Sequence, residues 1–155
     1  MREIVFRGKR IDNGEWVEGY YVRLYGSNGR VSRRIYTSCA EVDCGDYYPD
    51  FFEVQPSTVG QYTGLKDKNG KRIFEGDVVS YKRVHQFTED DDIEDYGNQF
   101  PDKISDCLGV VEFRNGKFMP LPERHDCDDY WYSDGQYGFE VIGNIYDNPE
   151  LLEAR

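Results

Sequence analysis

Val59-Gly60-Gln61-Tyr62-Thr63-Gly64-Leu65-Lys66-Asp67-Lys68-Asn69-Gly70-Lys71-Arg72-Ile73-Phe74-Glu75-Gly76-Asp77-Val78-Val79 decides the fold. It reads as a β-ribbon with a glycine-studded turn, because its branched and aromatic side chains suit a pleated, half-buried surface. Lys68-Asn69-Gly70 contains the Asn-Gly pair favoured in tight hairpin turns, where both central positions need φ > 0. Glu75-Gly76-Asp77 reads as a second turn, and Val78 to Tyr81 leads into a further strand.

Upstream of the ribbon, Ile4 to Phe6 is a short strand, and Arg7 to Asn13 turns through Gly8 and Asp12-Asn13. Trp16 to Val22 places apolar groups on both parities, which predicts a strand covered on both faces for part of its length. Ser27-Asn28-Gly29 makes a turn before Val31 to Tyr36, a strand carrying Arg33 and Arg34. Residues 38–50 show no period and read as loop, and Phe51 to Val54 is a short strand broken by Pro56. Downstream, residues 85–106 form the longest stretch without structure, and connections of that length are usually lids, binding loops or disordered. Gly109 to Phe113 and Lys117 to Leu121 flank Arg114-Asn115-Gly116, another hairpin signal. Tyr137 to Tyr146 forms the last strand. Asn148 then caps a short helix with Pro149 in its first position, and Leu151 and Leu152 dock it.

The predicted fold is mainly β, with short antiparallel strands forming a small, partly open barrel-like domain, a short C-terminal helix and a long acidic insert. A single domain is expected over residues 1–155. Its N-terminal strands lie in 1–56, its barrel-like core in 57–84 and 107–147, its acidic insert in 85–106 and its helix in 148–155. Composition agrees: Val and Ile number 21 of the 155 residues, against 8 for Leu and Ala, the best helix formers.

The net charge of −11 is unevenly spread. Residues 1–84 carry a net of +2, residues 85–106 a net of −7, and residues 121–155 another −7. Phosphate recognition needs clustered Lys and Arg, so the second half argues against a nucleic-acid partner. The four cysteines lack the density of a disulfide scaffold, and the N-terminus has no long apolar segment. No run reaches the ~20 apolar residues of a membrane span. The expected setting is the cytoplasm, without membrane contact and with reduced thiols.

Catalytic chemistry is thinly supplied. Cys39, Cys44, Cys107, His125 and Cys127 could be zinc ligands, but no Cys-x2-Cys pair occurs. Asp90-Asp91-Asp92-Ile93-Glu94-Asp95 fails the calcium-loop pattern, which needs glycine at the sixth position. His125 and Cys127 are too close in sequence for a productive nucleophile–base geometry, and no phosphate-binding or dinucleotide motif is present. The expectation is no cofactor, no metal and no catalysis. Asp128, Asp129, Tyr130, Trp131 and Tyr132 combine charge with aromatic anchors and are the candidate protein contacts. The alternative is a single-strand nucleic-acid surface on the 62–83 ribbon, with Lys66, Lys68, Lys71 and Arg72 on phosphates and Tyr62 and Phe74 stacking bases.

Three blocks carry a family resemblance. Phe6-Arg7-Gly8-Lys9-Arg10 followed by Gly14-Glu15-Trp16-Val17-Glu18-Gly19 opens the chain, the ribbon stands in the middle, and Ile142-Gly143-Asn144-Ile145-Tyr146-Asp147-Asn148-Pro149-Glu150-Leu151-Leu152 closes it. In this order they resemble the YopX family of phage and prophage proteins. The resemblance implies a small phage-encoded protein with no agreed catalytic residues to carry over. With the acidic, aromatic surface, it leads to an expected accessory role through contact with a host or phage protein. Self-association stays open.

Overall fold

The computed structural model describes residues 3–40, 48–85, 103–121 and 138–153, with backbone alone at 38–40, 48–49, 83–85, 103–105, 121 and 153. Among the described residues, ten strands form two antiparallel sheets, and one short α-helix follows the last strand. The first sheet uses β1 (Phe6–Lys9), β2 (Trp16–Tyr25), β3 (Val31–Ala40), β4 (Tyr48–Glu53), β5 (Gly60–Lys66) and β6 (Arg72–Phe74), in the order β4-β3-β2-β1-β5-β6. The second uses β7 (Asp77–His85), β8 (Lys103–Arg114), β9 (Lys117–Leu121) and β10 (Glu140–Asn144), in the order β10-β7-β8-β9. The helix α1 is Glu150–Glu153. Among the described residues no helix is long and apolar enough to cross a membrane.

The mainly β, antiparallel expectation holds, and the strands form two sheets rather than a closed barrel. The stretch is divided between the sheets at its second turn, Glu75-Gly76: β6 ends at Phe74 in the first sheet and β7 starts at Asp77 in the second. The physical reason lies at this corner. The Asp77 carboxylate accepts a hydrogen bond from Phe74 N at 2.7 Å, and Gly76 N donates to Val111 O at 2.8 Å. The turn is thereby closed by a side chain and handed to β8, so β6 and β7 never pair with each other. The β5–β6 hairpin instead joins β1, through Phe6↔Gln61 and Arg7↔Gly60.

Boundaries shift for equally local reasons. Gly8, read as part of a turn, lies inside β1, where an added Cβ would meet Val54 at 3.2 Å and Ile35 at 3.3 Å. It is there for close packing. Pairing of Tyr36 with Phe51, and on to Ala40 with Tyr48, carries both strands into the segment expected to be loop. Pairing of His85 with Lys103 likewise carries β7 and β8 into the two ends of the segment expected to be without structure.

The turns separate into two kinds. At Arg114-Asn115-Gly116-Lys117 both central residues have positive φ (49° and 80°), the two-residue turn that Asn-Gly favours. At Asp67 to Lys71 only Gly70 does (82°), while Gly70 N donates to Asp67 O and Asp67 N to Lys71 O. This is a three-residue hairpin with glycine at the left-handed position, one residue longer than expected.

Two apolar clusters make up most of the core. Val17, Ile35 and Val54 are buried under the first sheet, with Phe6, Tyr21, Phe52 and Val59 packed against them. Ile73 of β6 joins Val79 and Val111 of the second sheet, so this cluster crosses the divide between the sheets. The C-terminal segment behaves as expected: Leu151 N donates to Asn148 O and opens the single helical turn.

Candidate functional site

The three sequence blocks converge where the sheets meet. β1 brings Arg7 to the divide, and the corner after β6 brings Asp77. Arg7 Nη2 lies 2.6 Å from Asp77 Oδ1, with the two side chains only 10% and 1% exposed. The Asp77 carboxylate is thus held by the Arg7 guanidinium on one side and by Phe74 N on the other. Burial pushes the Asp77 carboxyl up, against the opposing pull of the Arg7 charge and the Phe74 amide. The guanidinium is also flanked by aromatic faces, 4.7 Å from the Trp16 ring centre and 4.9 Å from that of Phe74.

A second carboxylate closes the outer side. Asp147 pairs with Lys9, accepts from Trp16 Nε1 at 2.7 Å and accepts from Asn144 Nδ2 at 2.8 Å. Asn144 Oδ1 in turn takes the backbone N–H groups of Tyr146 and Asp147, each at 2.9 Å, which fixes the turn that presents Asp147. The Asn144 amide and the Lys9 and Trp16 donors hold the Asp147 carboxyl down at about 2. Tyr146 leans on Trp16 at 5.9 Å between ring centres, and burial raises its hydroxyl pKa. Arg7, Lys9 and Trp16 come from the opening block, Phe74 and Asp77 from the middle one, and Asn144, Tyr146 and Asp147 from the closing one. What the sequence blocks encode is a lock between two sheets.

The sign of the pH effect follows from Asp147. Its folded-state pKa is depressed from an ordinary 3.8 to about 2, so its contribution is present above about pH 4 and fades as pH falls through about 2. Asp147→Asn should therefore lower the thermal midpoint at neutral pH, and the gap from the unaltered protein should close on acidification through that window. Melting curves at a series of pH values check it. Because the carboxylate is partly exposed, the effect is smaller than for a buried pair.

The β5–β6 hairpin tip makes a second link between the sheets. Asp67 is 7% exposed. Burial acts to raise its pKa, but three backbone donors overcome this and lower it: Lys71 N and Asn69 N at 2.8 Å and Val141 N at 3.2 Å. Lys68 N donates to Phe139 O at 2.9 Å, and Lys68 Nζ pairs with Glu140 at 2.6 Å.

This arrangement redraws the nucleic-acid alternative. Lys66 and Lys71 are exposed, but Lys68 is spent on Glu140 and Arg72 on Glu3 and Glu18, at 3.4 and 3.2 Å. Tyr62 and Phe74 cannot stack bases. They are 6% and 2% exposed and pack on each other at 5.5 Å between ring centres. A strand position that reads as a surface aromatic is thus core, because the parity of β5 is set by pairing with β1.

Asp128, Asp129, Tyr130, Trp131 and Tyr132 lie outside the described residues, as do Cys44, His125 and Cys127. No group of three potential metal ligands occurs among the described residues. An apolar concavity is lined by Leu65, Ile73, Val79, Val111, Phe118 and Phe139, with Thr63 the polar exception. The Thr63 hydroxyl is committed to Ile73 O at 2.9 Å.

Sequence reasoning missed an aromatic row on the outer face of the first sheet. Tyr20 of β2, Tyr36 of β3 and Phe51 of β4 are directly opposite one another across three strands. Tyr20 is 62% and Phe51 42% exposed, with Tyr36 and Phe51 in ring contact at 5.5 Å and Arg34 stacked over Phe51 at 4.1 Å. The available signal was parity: Tyr20 and Val22 share the face opposite buried Val17.

The chain is similar to known proteins in two ways. It matches the family described as "YopX protein" over residues 5–153. Its structure resembles the crystal structure of protein EF1440 from Enterococcus faecalis, with a TM-score of 0.54 and 25% sequence identity, over 98% of this chain and 99% of that one. No curated protein matches the sequence. With the three sequence blocks meeting in one lock and the family match running nearly end to end, the chain belongs to the YopX family.

Proposed function

We propose that the protein is a non-catalytic accessory protein of a phage or prophage that acts by binding another protein. The observation that carries this reading is the Tyr20–Tyr36–Phe51 row. Exposed tyrosine and phenylalanine beside a stacked arginine have the composition of interface anchors, and a β-sheet holds them rigid before binding. We assign the contact surface to the β2-β3-β4 face, a reading that the exposure of Tyr20 and Phe51 supports.

Recovery of partners from a host lysate tests it. The unaltered protein should retain a specific protein that Tyr20→Ser/Phe51→Ser releases, with the thermal midpoint of the variant little changed. Retention that ignores the double substitution sinks the reading. A salt-sensitive gel shift with single-stranded DNA that is lost in Lys66→Gln/Lys71→Gln would favour the ribbon alternative instead.

A further inference from the structure

We propose that the β2–β3 hairpin is a docking arm for duplex DNA. This goes beyond the protein-binding reading and uses a different surface. β1 pairs with β2 only as far as Gly19, and on the other edge the last bond to β3 is from Val54 N to Arg33 O at 3.0 Å. Beyond those limits, residues 23–32 extend as a two-stranded ribbon with Arg33 at its base, and residues 23–30 are all exposed.

The charge of this ribbon is unlike that of the rest of the chain. Residues 19–40 contain four arginines and no acidic residue, in a protein with 30 acidic side chains. Of the arginines with described side chains, Arg7, Arg10, Arg34, Arg72 and Arg114 each have a carboxylate partner. Arg23, Arg30 and Arg33 have none among the described residues, and all three lie on this arm. Arg23 and Arg33 are direct cross-strand partners, so their side chains share a face. Like charges in that position destabilise a sheet, and an external anion would relieve the cost. Tyr25, 70% exposed, continues the same face with Arg23 stacked on it at 5.0 Å. Asn28 shapes the tip by accepting from Arg30 N at 3.0 Å.

Shape decides between anionic partners. The arm is an exposed two-stranded ribbon, an element that fits the major groove of B-DNA. Arginine forks match phosphate oxygens in pairs. A carboxylate-bearing protein would have to offer an acidic cleft of similar width. The overall charge of −11 is a weaker obstacle than it looks. The described residues contain 16 basic and 15 acidic side chains, so the surplus belongs to the remaining segments.

Fluorescence anisotropy with a labelled duplex of about twenty base pairs, between about 50 and 200 mM salt, tests the proposal. Three arginine–phosphate contacts predict a dissociation constant of roughly 10⁻⁴ to 10⁻⁶ M and a log–log salt slope of about −3. Arg23→Gln/Arg33→Gln should weaken binding at least tenfold and bring the slope to about −1, with the thermal midpoint preserved. Lys66→Gln/Lys71→Gln should bind as the unaltered protein does. If the arm pair variant fails to fold, Arg30→Gln alone should reduce the slope by about one. No binding at 50 mM salt, binding indifferent to the arm substitutions, or equal competition by polyglutamate at matched charge would overturn the proposal.

Discussion

Asp77→Ala should be the most damaging single truncation at the divide between the sheets, costing about 3–5 kcal/mol. The loss is larger than one ion pair is worth at a surface, because the substitution leaves the Arg7 guanidinium in a site where its side chain is 10% exposed. It also removes the acceptor of Phe74 N, so the corner between β6 and β7 loses its brace. For a chain of this size the thermal midpoint should fall by about 10 °C. Replacing both partners, as Arg7→Met/Asp77→Ala, should recover part of the loss, since the stranded charge is gone. Thermal unfolding of the two variants checks this. A double variant less stable than Asp77→Ala would show that Arg7 stabilises mainly through its Trp16 and Phe74 faces rather than through Asp77.

Gly19→Ala should cost about 3 kcal/mol or more, with a midpoint lower by about 6–12 °C. Gly19 is buried in β2 opposite β1, and a Cβ there would stand 2.1 Å from Tyr36 O and 3.1 Å from an Ile35 methyl. The obstructing atom is backbone, held in the β2–β3 ladder, so it cannot swing aside as a side chain can. Relief requires the ladder itself to move next to the irregularity between Tyr36 and Ser38. The neighbouring Tyr20→Ala is the control: its side chain is 62% exposed, and the effect should be within roughly 1 kcal/mol. Chemical denaturation of both variants separates a strand-wide effect from the predicted local one.

Much of this architecture is legible in the residues. Branched and aromatic runs broken by Gly-containing corners announce antiparallel strands, and Asn115-Gly116 announces its own turn type. The Asn148-Pro149 pair places the last helical turn. What was not legible depends on contacts between distant segments. Glu75-Gly76-Asp77 has the spacing of a hairpin turn, and only the Asp77–Phe74 brace and the Gly76–Val111 bond make it a corner between sheets. Tyr62 and Phe74 look like surface aromatics beside charged neighbours until pairing with β1 turns them inward. The basic ribbon looked free because sequence alone cannot show that Glu3, Glu18 and Glu140 meet Arg72 and Lys68. The arm at 23–33 was visible as a turn with nearby arginines. Its projection depends on where β1 and β4 stop.

The lock drawn from the start, middle and end of the chain also governs when the molecule can finish folding during synthesis. Lys9 and Trp16 leave the ribosome early, yet their acceptor Asp147 follows them by 138 and 131 residues. Until then the first sheet can pair its strands while the face of Trp16 stays open to water. A nascent chain stalled before Asn144 would hold that face exposed, a target for chaperones and proteases, until Asp147 emerges to seal it.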